Sequence, residues 1–353
     1  MKNKKIFFSI LVLFASILVS GCTISFSTDG KKDLGGVFAS GNRGQTWRQM
    51  VALPTAQRVE SLSGVVVNDL AADPNDPQAI YMATVGNGMY YTYDLPEGWQ
   101  RARGLPRTSI NAVAVEPGSK CIIYASAENK LYKSTDCNRT WEPVYHDDDK
   151  QARITSIVVD HYDANRLFIG TSNGIVLRSD DRGGSWRSIH RVSRDKITGL
   201  HISPHDSRIV FATTERSGVY RTKDSGEEWL SLVDNMRDFD NRTRVRDLAT
   251  ADPEEGLIFV ATDYGLLKSE DFGEEWSKID LLTPERGAKI NSVVVGPQDE
   301  EEIYYVTDTT FYRSLDGGVS WSTRELPTSR PGKALLINQE EPNIIYLGAG
   351  AGK

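Results

Sequence analysis

Six basic residues stand just ahead of short apolar runs in this chain of 353 residues: Arg107, Arg153, Lys196, Arg244, Lys289 and Lys333. The runs are "INAVAVEP" at 110–117, "ITSIVVDH" at 154–161, "ITGLHISP" at 197–204, "VRDLATADP" at 245–253, "INSVVVGP" at 290–297 and "ALLIN" at 334–338. Cationic groups gathered at one opening would capture an anion, because low-dielectric walls lined by one sign of charge focus the potential. Acids such as Asp147, Asp148, Asp149, Asp195 and Glu285 are interleaved with them, and the alternative is ordinary solvated loop charge.

A catalytic set is harder to assemble. Glycoside hydrolysis needs two carboxylates at a set separation, and no motif selects a pair from the 48 acidic residues. The chain has no HExxH or GxSxG motif, its five histidines form no constellation, and its cysteines lack metal-site spacing. No catalytic residue, metal or cofactor is therefore nominated.

The N-terminus carries a different chemistry. Lys2, Lys4 and Lys5 precede an apolar run from Ile6 to Val19 and then "VSGC" at 19–22, the layout of a secretory signal peptide. At about 14 apolar residues the run is short for a membrane span. Its end, "LVSGC", resembles a bacterial lipobox, which implies a signal peptide over 1–21, a lipidated Cys22 and a tether over 22–33. The alternative is an ordinary secretory signal with a chance cysteine. Acyl chains on Cys22 would hold the protein at the envelope membrane, since two or three chains anchor durably. Loss of Lys2, Lys4 and Lys5 with the leader takes the formal charge from −7 to −10. Such a balance disfavours nucleic acid and does not help binding to anionic lipid.

What positions these residues is a repeat. The seven tryptophans, Trp47, Trp99, Trp141, Trp186, Trp229, Trp276 and Trp321, are spaced by 52, 42, 45, 43, 47 and 45 residues. Each closes one version of a phrase: "SGNRGQTW", "TYDLPEGW", "STDCNRTW", "SDDRGGSW", "TKDSGEEW", "SEDFGEEW" and "SLDGGVSW". Its fixed positions are Ser134, Asp136 and Trp141; Ser179, Asp181, Gly183 and Trp186; Thr222, Asp224, Gly226 and Trp229; Ser269, Asp271, Gly273 and Trp276; and Ser314, Asp316, Gly318 and Trp321. Hydroxyl and carboxylate can bond their own turn, glycine supplies a positive φ, and the indole buries a large apolar body. Asn42, Pro96 and Asn138 depart from the pattern and predict looser turns there. The phrase resembles the Asp-box, or BNR repeat, of sialidases, sortilin-type receptors and related β-propellers.

Three strands precede each phrase and one follows it, and four antiparallel strands make a propeller blade. Before Trp47 only "GGVFAS" supplies a third strand, while "KALLINQEEPNIIYLGAG" at 333–350 supplies a first and second. The expected fold is therefore all-β: a seven-bladed propeller over 34–353 whose termini share one blade. A hairpin turning at Glu128–Lys130 would set Cys121 opposite Cys137, within reach of a disulfide worth roughly 3 kcal/mol. Two free thiols are the alternative.

Over about residues 34–353 the chain is similar to the seven-bladed Asp-box propellers that include the photosystem II stability and assembly factor. That resemblance implies an extracytoplasmic, non-catalytic scaffold whose arginine-rich face binds a partner protein or glycan of the envelope, here expected as a monomer. The rival expectation is a glycoside hydrolase like the sialidases or xyloglucanases. Sialidases, however, have six blades and an Arg-Ile-Pro motif, and "ARITSI" at 152–157 matches only its first two residues.

Overall fold

The computed structural model describes residues 32–251, 255–287 and 289–352. The expected leader, Cys22 and the tether up to residue 31 lie outside these residues. Among the described residues no helix is long and apolar enough to cross a membrane.

Seven four-stranded antiparallel sheets follow one another. Blade 1 comprises Val67–Asp73, Asp76–Thr84, Met89–Thr92 and Gln100–Arg101. Blades 2 and 3 open with Ile110–Glu116 and Ile154–Val159, and blades 4, 5 and 6 with Ile197–Ile202, Val245–Thr250 and Ser292–Val295. These opening strands adjoin one another in order, and Gly332–Ile337 then adjoins Val67–Asp73. The ring is closed.

Blade 7 carries the closure. Its strand order is Gly332–Ile337, Ile345–Ala349, Val37–Ser40 and Arg48–Met50. The two ends of the chain pair antiparallel, Val37 with Gly348 and Ser40 with Ile345. Both inner edges of the seam are thereby hydrogen-bonded, so no unpaired strand is left where the ring meets itself. The long first interval between tryptophans is explained by an added hairpin, Ala52–Pro54 against Val59–Ser61.

An aromatic residue stands at one register in the second strand of every blade: Tyr81, Tyr124, Phe168, Phe211, Phe259, Tyr304 and Tyr346. All seven are buried. They fill the wedges that flat sheets leave when set around an axis, each worth roughly 1.5–3 kcal/mol.

The repeated phrase forms the turn between third and fourth strands. In "SDDRGGSW" the Ser179 hydroxyl donates to Asp181 Oδ1 at 2.8 Å and accepts the Gly183 amide at 2.8 Å. Asp181 in turn accepts the Ser185 amide at 2.8 Å and the Ser185 hydroxyl at 2.7 Å. Asn42 does not loosen its turn: Oδ1 accepts both Ser40 Oγ and the Thr46 amide, at 2.9 Å each, and Nδ2 donates to Thr46 Oγ1. Asn138 takes the left-handed conformation of the missing glycine, at φ 68°. Only "TYDLPEGW" departs, becoming a short 3-10 turn over Leu95–Glu97, with Trp99 Nε1 donating to Met50 O in the neighbouring blade. The residue before the glycine is also left-handed, as at Arg182, Ser225 and Phe272, a strain that the pattern of residue types did not reveal.

Cys121 and Cys137 are joined by a disulfide across the hairpin of blade 2. Cys137 itself occupies the left-handed position of its turn.

Gly226 has φ +96°, and a Cβ there would collide with Ile189 of the preceding blade. Gly226→Ala is therefore expected to lower the unfolding free energy by roughly 2 kcal/mol or more, by strain and overpacking together. Gly41→Ala, where nothing lies within 4 Å, should change it by less than about 0.5 kcal/mol. Equal effects of the two in urea denaturation would refute this account of the turn.

Candidate functional site

The turns between third and fourth strands lie on one face of the ring. The connections from each outer strand to the next blade's inner strand, and from second to third strand, lie on the other. On that second face the central channel opens as a mouth. A cavity of about 480 Å³ at its rim is lined by Thr198, Glu215, Arg216, Arg244, Arg246 and Lys333, among others. It continues into a channel of about 490 Å³ walled by the inner strands.

The side chains at the mouth are aimed by a recurrent irregularity. In blades 1, 2, 3, 4, 5 and 7 the second residue of the inner strand is skipped in the pairing: Asn68, Asn111, Thr155, Thr198, Arg246 and Lys333. A bulge of this kind re-aims one side chain without ending the strand. Asn68, Asn111 and Asn291 donate Nδ2 to Ile110, Ile154 and Gly332 carbonyls of the next blade at 2.9, 3.0 and 2.9 Å. Thr155 Oγ1 does the same to Ile197 O at 2.6 Å. One ring of residues therefore both ties the blades and lines the opening.

One residue deeper lies a second set of ties. Asp247 Oδ2 accepts the Val293 amide of the next blade at 2.9 Å, and Ser292 Oγ accepts the Leu335 amide at 3.2 Å. Asp69 stands at the matching position, taking the amides of Leu70 and Val113. Its side chain looks onto the channel and is half-buried among the inner strands. Desolvation pushes its pKa up to about 6 against those hydrogen bonds, and pushes Asp247 up in the same way.

The expected basic rim is placed as follows. Arg244 sits at the mouth 3.6 Å from Asp263, which also binds Arg246 at 2.7 Å. Lys289 is 3.3 Å from Asp308. Lys196 lines the channel entrance, with its pKa lowered first by burial and then by Lys333. Arg153 turns its guanidinium to the carbonyls of Lys150 and Ala152 at 2.8 and 3.1 Å. Arg107 is exposed and is not part of either cavity lining.

Lys333 differs from expectation. It is not the residue before the inner strand but the second residue within it, matching Asn291 and Arg246 rather than Lys289 and Arg244. The bulge turns it into the channel, which a count of residues ahead of the apolar run could not show. Arg330, also near the mouth, is spent on structure: it binds Asp33 at 2.7 Å and the carbonyls of Gly64 and Val65. The cations thus crowd one sector, from blade 4 to blade 7, while on the opposite face Glu270 is paired with Lys268 and Glu274 with Arg221 and Lys223.

Among the described residues no group of three or more His, Cys, Asp or Glu side chains is arranged to hold a metal ion.

Comparison with known proteins agrees with this architecture. Residues 129–263 match the family model described as Sortilin-Vps10, sortilin, neurotensin receptor 3. The structure of YCF48 bound to D1 peptide is similar at a TM-score of 0.62 and 14% identity, over 91% of this chain and 100% of that one. YCF48 from Cyanidioschyzon merolae gives 0.60 at 14% identity, over 81% and 95%. The GH74 xyloglucanase from Xanthomonas campestris gives 0.65 at 18% identity, over 81% of this chain but 51% of the enzyme. The chain thus spans about half the length of that enzyme. No curated protein matches it. At these identities the likeness is one of fold, and the fold is a seven-bladed β-propeller with Asp-box turns.

The pKa of Asp69 near 6, above the ordinary 3.8, means that the folded chain holds this proton more tightly than the unfolded one. Its contribution to stability is full below pH 3.8 and is lost as pH rises through 6. Asp69→Asn should remove that loss, so the stability difference between variant and parent must change across pH 4 to 6 in urea titrations. A difference independent of pH would mean that Asp69 titrates as an exposed carboxylate.

Proposed function

We propose that this protein is a non-catalytic binding scaffold of the cell envelope, which captures an anionic segment of a partner protein or glycan at the channel mouth. The observation that carries this reading is the sector of Lys196, Arg216, Arg244, Arg246 and Lys333 around one opening, in a chain of net charge −7. Cations gathered around one opening in an acidic chain steer an approaching anion to the mouth rather than spread it over the surface. A propeller of the same fold, YCF48, has been solved with a peptide bound, which supports peptide capture as something this scaffold can do. Lipidation of Cys22 would keep the propeller at the membrane that carries its partner.

A glycoside hydrolase is the second reading. Asp69 and Asp247 are the carboxylates that the channel wall offers, and burial raises both, as an acid catalyst requires. Their use as ties between blades argues for structure instead. Turnover of xyloglucan by the purified chain, lost on Asp247→Asn, would establish the enzyme and overturn the scaffold.

Two outcomes test the scaffold. Changing Lys196, Arg244, Arg246 and Lys333 together to glutamine should weaken capture of the envelope partner by about tenfold or more and flatten its dependence on salt. Unchanged capture would reduce these residues to surface charge. Cys22→Ala should move the protein from the membrane to the soluble fraction and abolish its labelling by palmitate. A membrane-bound, unlabelled variant would exclude the lipid anchor.

A further inference from the structure

The channel below the mouth holds charges of both signs that do not neutralise one another. Lys196 and Lys333 enter it from blades 4 and 7, and Asp69 and Asp247 face it from blades 1 and 5. Lys333 is close enough to favour the charged forms of both aspartates and to oppose that of Lys196. Yet among the described residues none of these four makes an ion pair within 4 Å, whereas Arg244 and Arg246 are both held by Asp263. Cation and anion thus share one channel without meeting, and desolvation penalises the charges of Lys196, Asp69 and Asp247.

Just beneath them the lining changes character. Ala249, Val294 and Leu336 face the channel beside His201, which burial holds neutral, with its pKa lowered to about 4. The result is a polar entrance of two signs over an apolar throat, about 490 Å³ in all, a size that suits a small molecule.

We propose that this channel binds a small zwitterion, an α-amino acid with an apolar side chain. Its carboxylate lies between Lys196 and Lys333, its ammonium against Asp69 and Asp247, and its side chain toward Ala249, Val294 and Leu336. Such a ligand satisfies both sets of charges at once, which an anion or a cation alone cannot. This goes beyond capture of a macromolecular partner: it shares Lys196 and Lys333 with the mouth but adds Asp69, Asp247 and the interior of the channel.

The test is calorimetric titration of the whole purified chain at neutral pH with leucine, N-acetyl-leucine and leucinamide. Leucine should bind saturably. The other two each lack one charge and should bind about tenfold more weakly or worse, as should leucine to Lys333→Met and to Asp69→Asn. Lys333 bears no hydrogen bond between blades, so its variant keeps the test valid if Asp69→Asn unfolds. Absence of saturable heat with leucine at millimolar concentration overturns the proposal, and so does equal binding of leucine and N-acetyl-leucine. Either failure leaves partner capture untouched, because that is read on the four-cation variant with the partner itself.

Discussion

The pairing of Val37–Ser40 with Ile345–Ala349 is the constraint on which the rest depends. A ring of sheets is only as closed as its last joint. Here the joint is a ladder of backbone hydrogen bonds inside one blade rather than a contact between two finished blades. Separating the ends would expose two unpaired strand edges and the buried faces of Phe38 and Leu347 together, so opening the ring costs both hydrogen bonding and apolar burial. Arg330 reinforces the seam from the mouth side, joining Asp33 to the loop at Gly64 and Val65.

Around the closed ring, cohesion comes from two layers of contact with different physics. Between blades the second-strand aromatics supply area, which is non-directional and would tolerate small rotations. At the channel, Asn68, Asn111, Thr155, Asn291, Asp247 and Ser292 supply hydrogen bonds from one blade's inner strand to the next. These set the register of each blade on its neighbour, because a shift of one residue would leave a buried donor or acceptor unpaired. The Asp-box turns do their work at the far end, knitting hydroxyl, carboxylate and amide within a single loop.

The same geometry creates the chemistry of the mouth. A bulge on the inner strands of six blades leaves one side chain in each pointing into the opening, and Asn291 holds the matching place in blade 6. Blades 1, 2 and 6 fill that place with asparagine, blades 3 and 4 with threonine, and blades 5 and 7 with Arg246 and Lys333. Function on this scaffold is thus a matter of which residue occupies a position the fold supplies anyway. The two cationic blades, joined by Lys196 and Arg244, make one side of the channel attractive to anions while Asp69 and Asp247 remain beneath.

What the sequence determined by itself was the architecture. Seven indole-tipped phrases at near-regular intervals, strand runs between them and complementary half-blades at the two ends follow from residue type and spacing, which local physics reads directly. The pairing of Cys121 with Cys137 was legible for the same reason, being a register within one hairpin. The mouth was legible only in outline. That basic residues gather near inner strands shows in the sequence, but Arg153 spends its charge on carbonyls and Arg330 on the seam. Lys333 gains its place from a bulge, and Asp69 and Asp247 gain theirs from facing a common channel 178 residues apart in the chain. Those facts are decided by where the closing ring brings side chains from different blades together, and no stretch of sequence contains that distance.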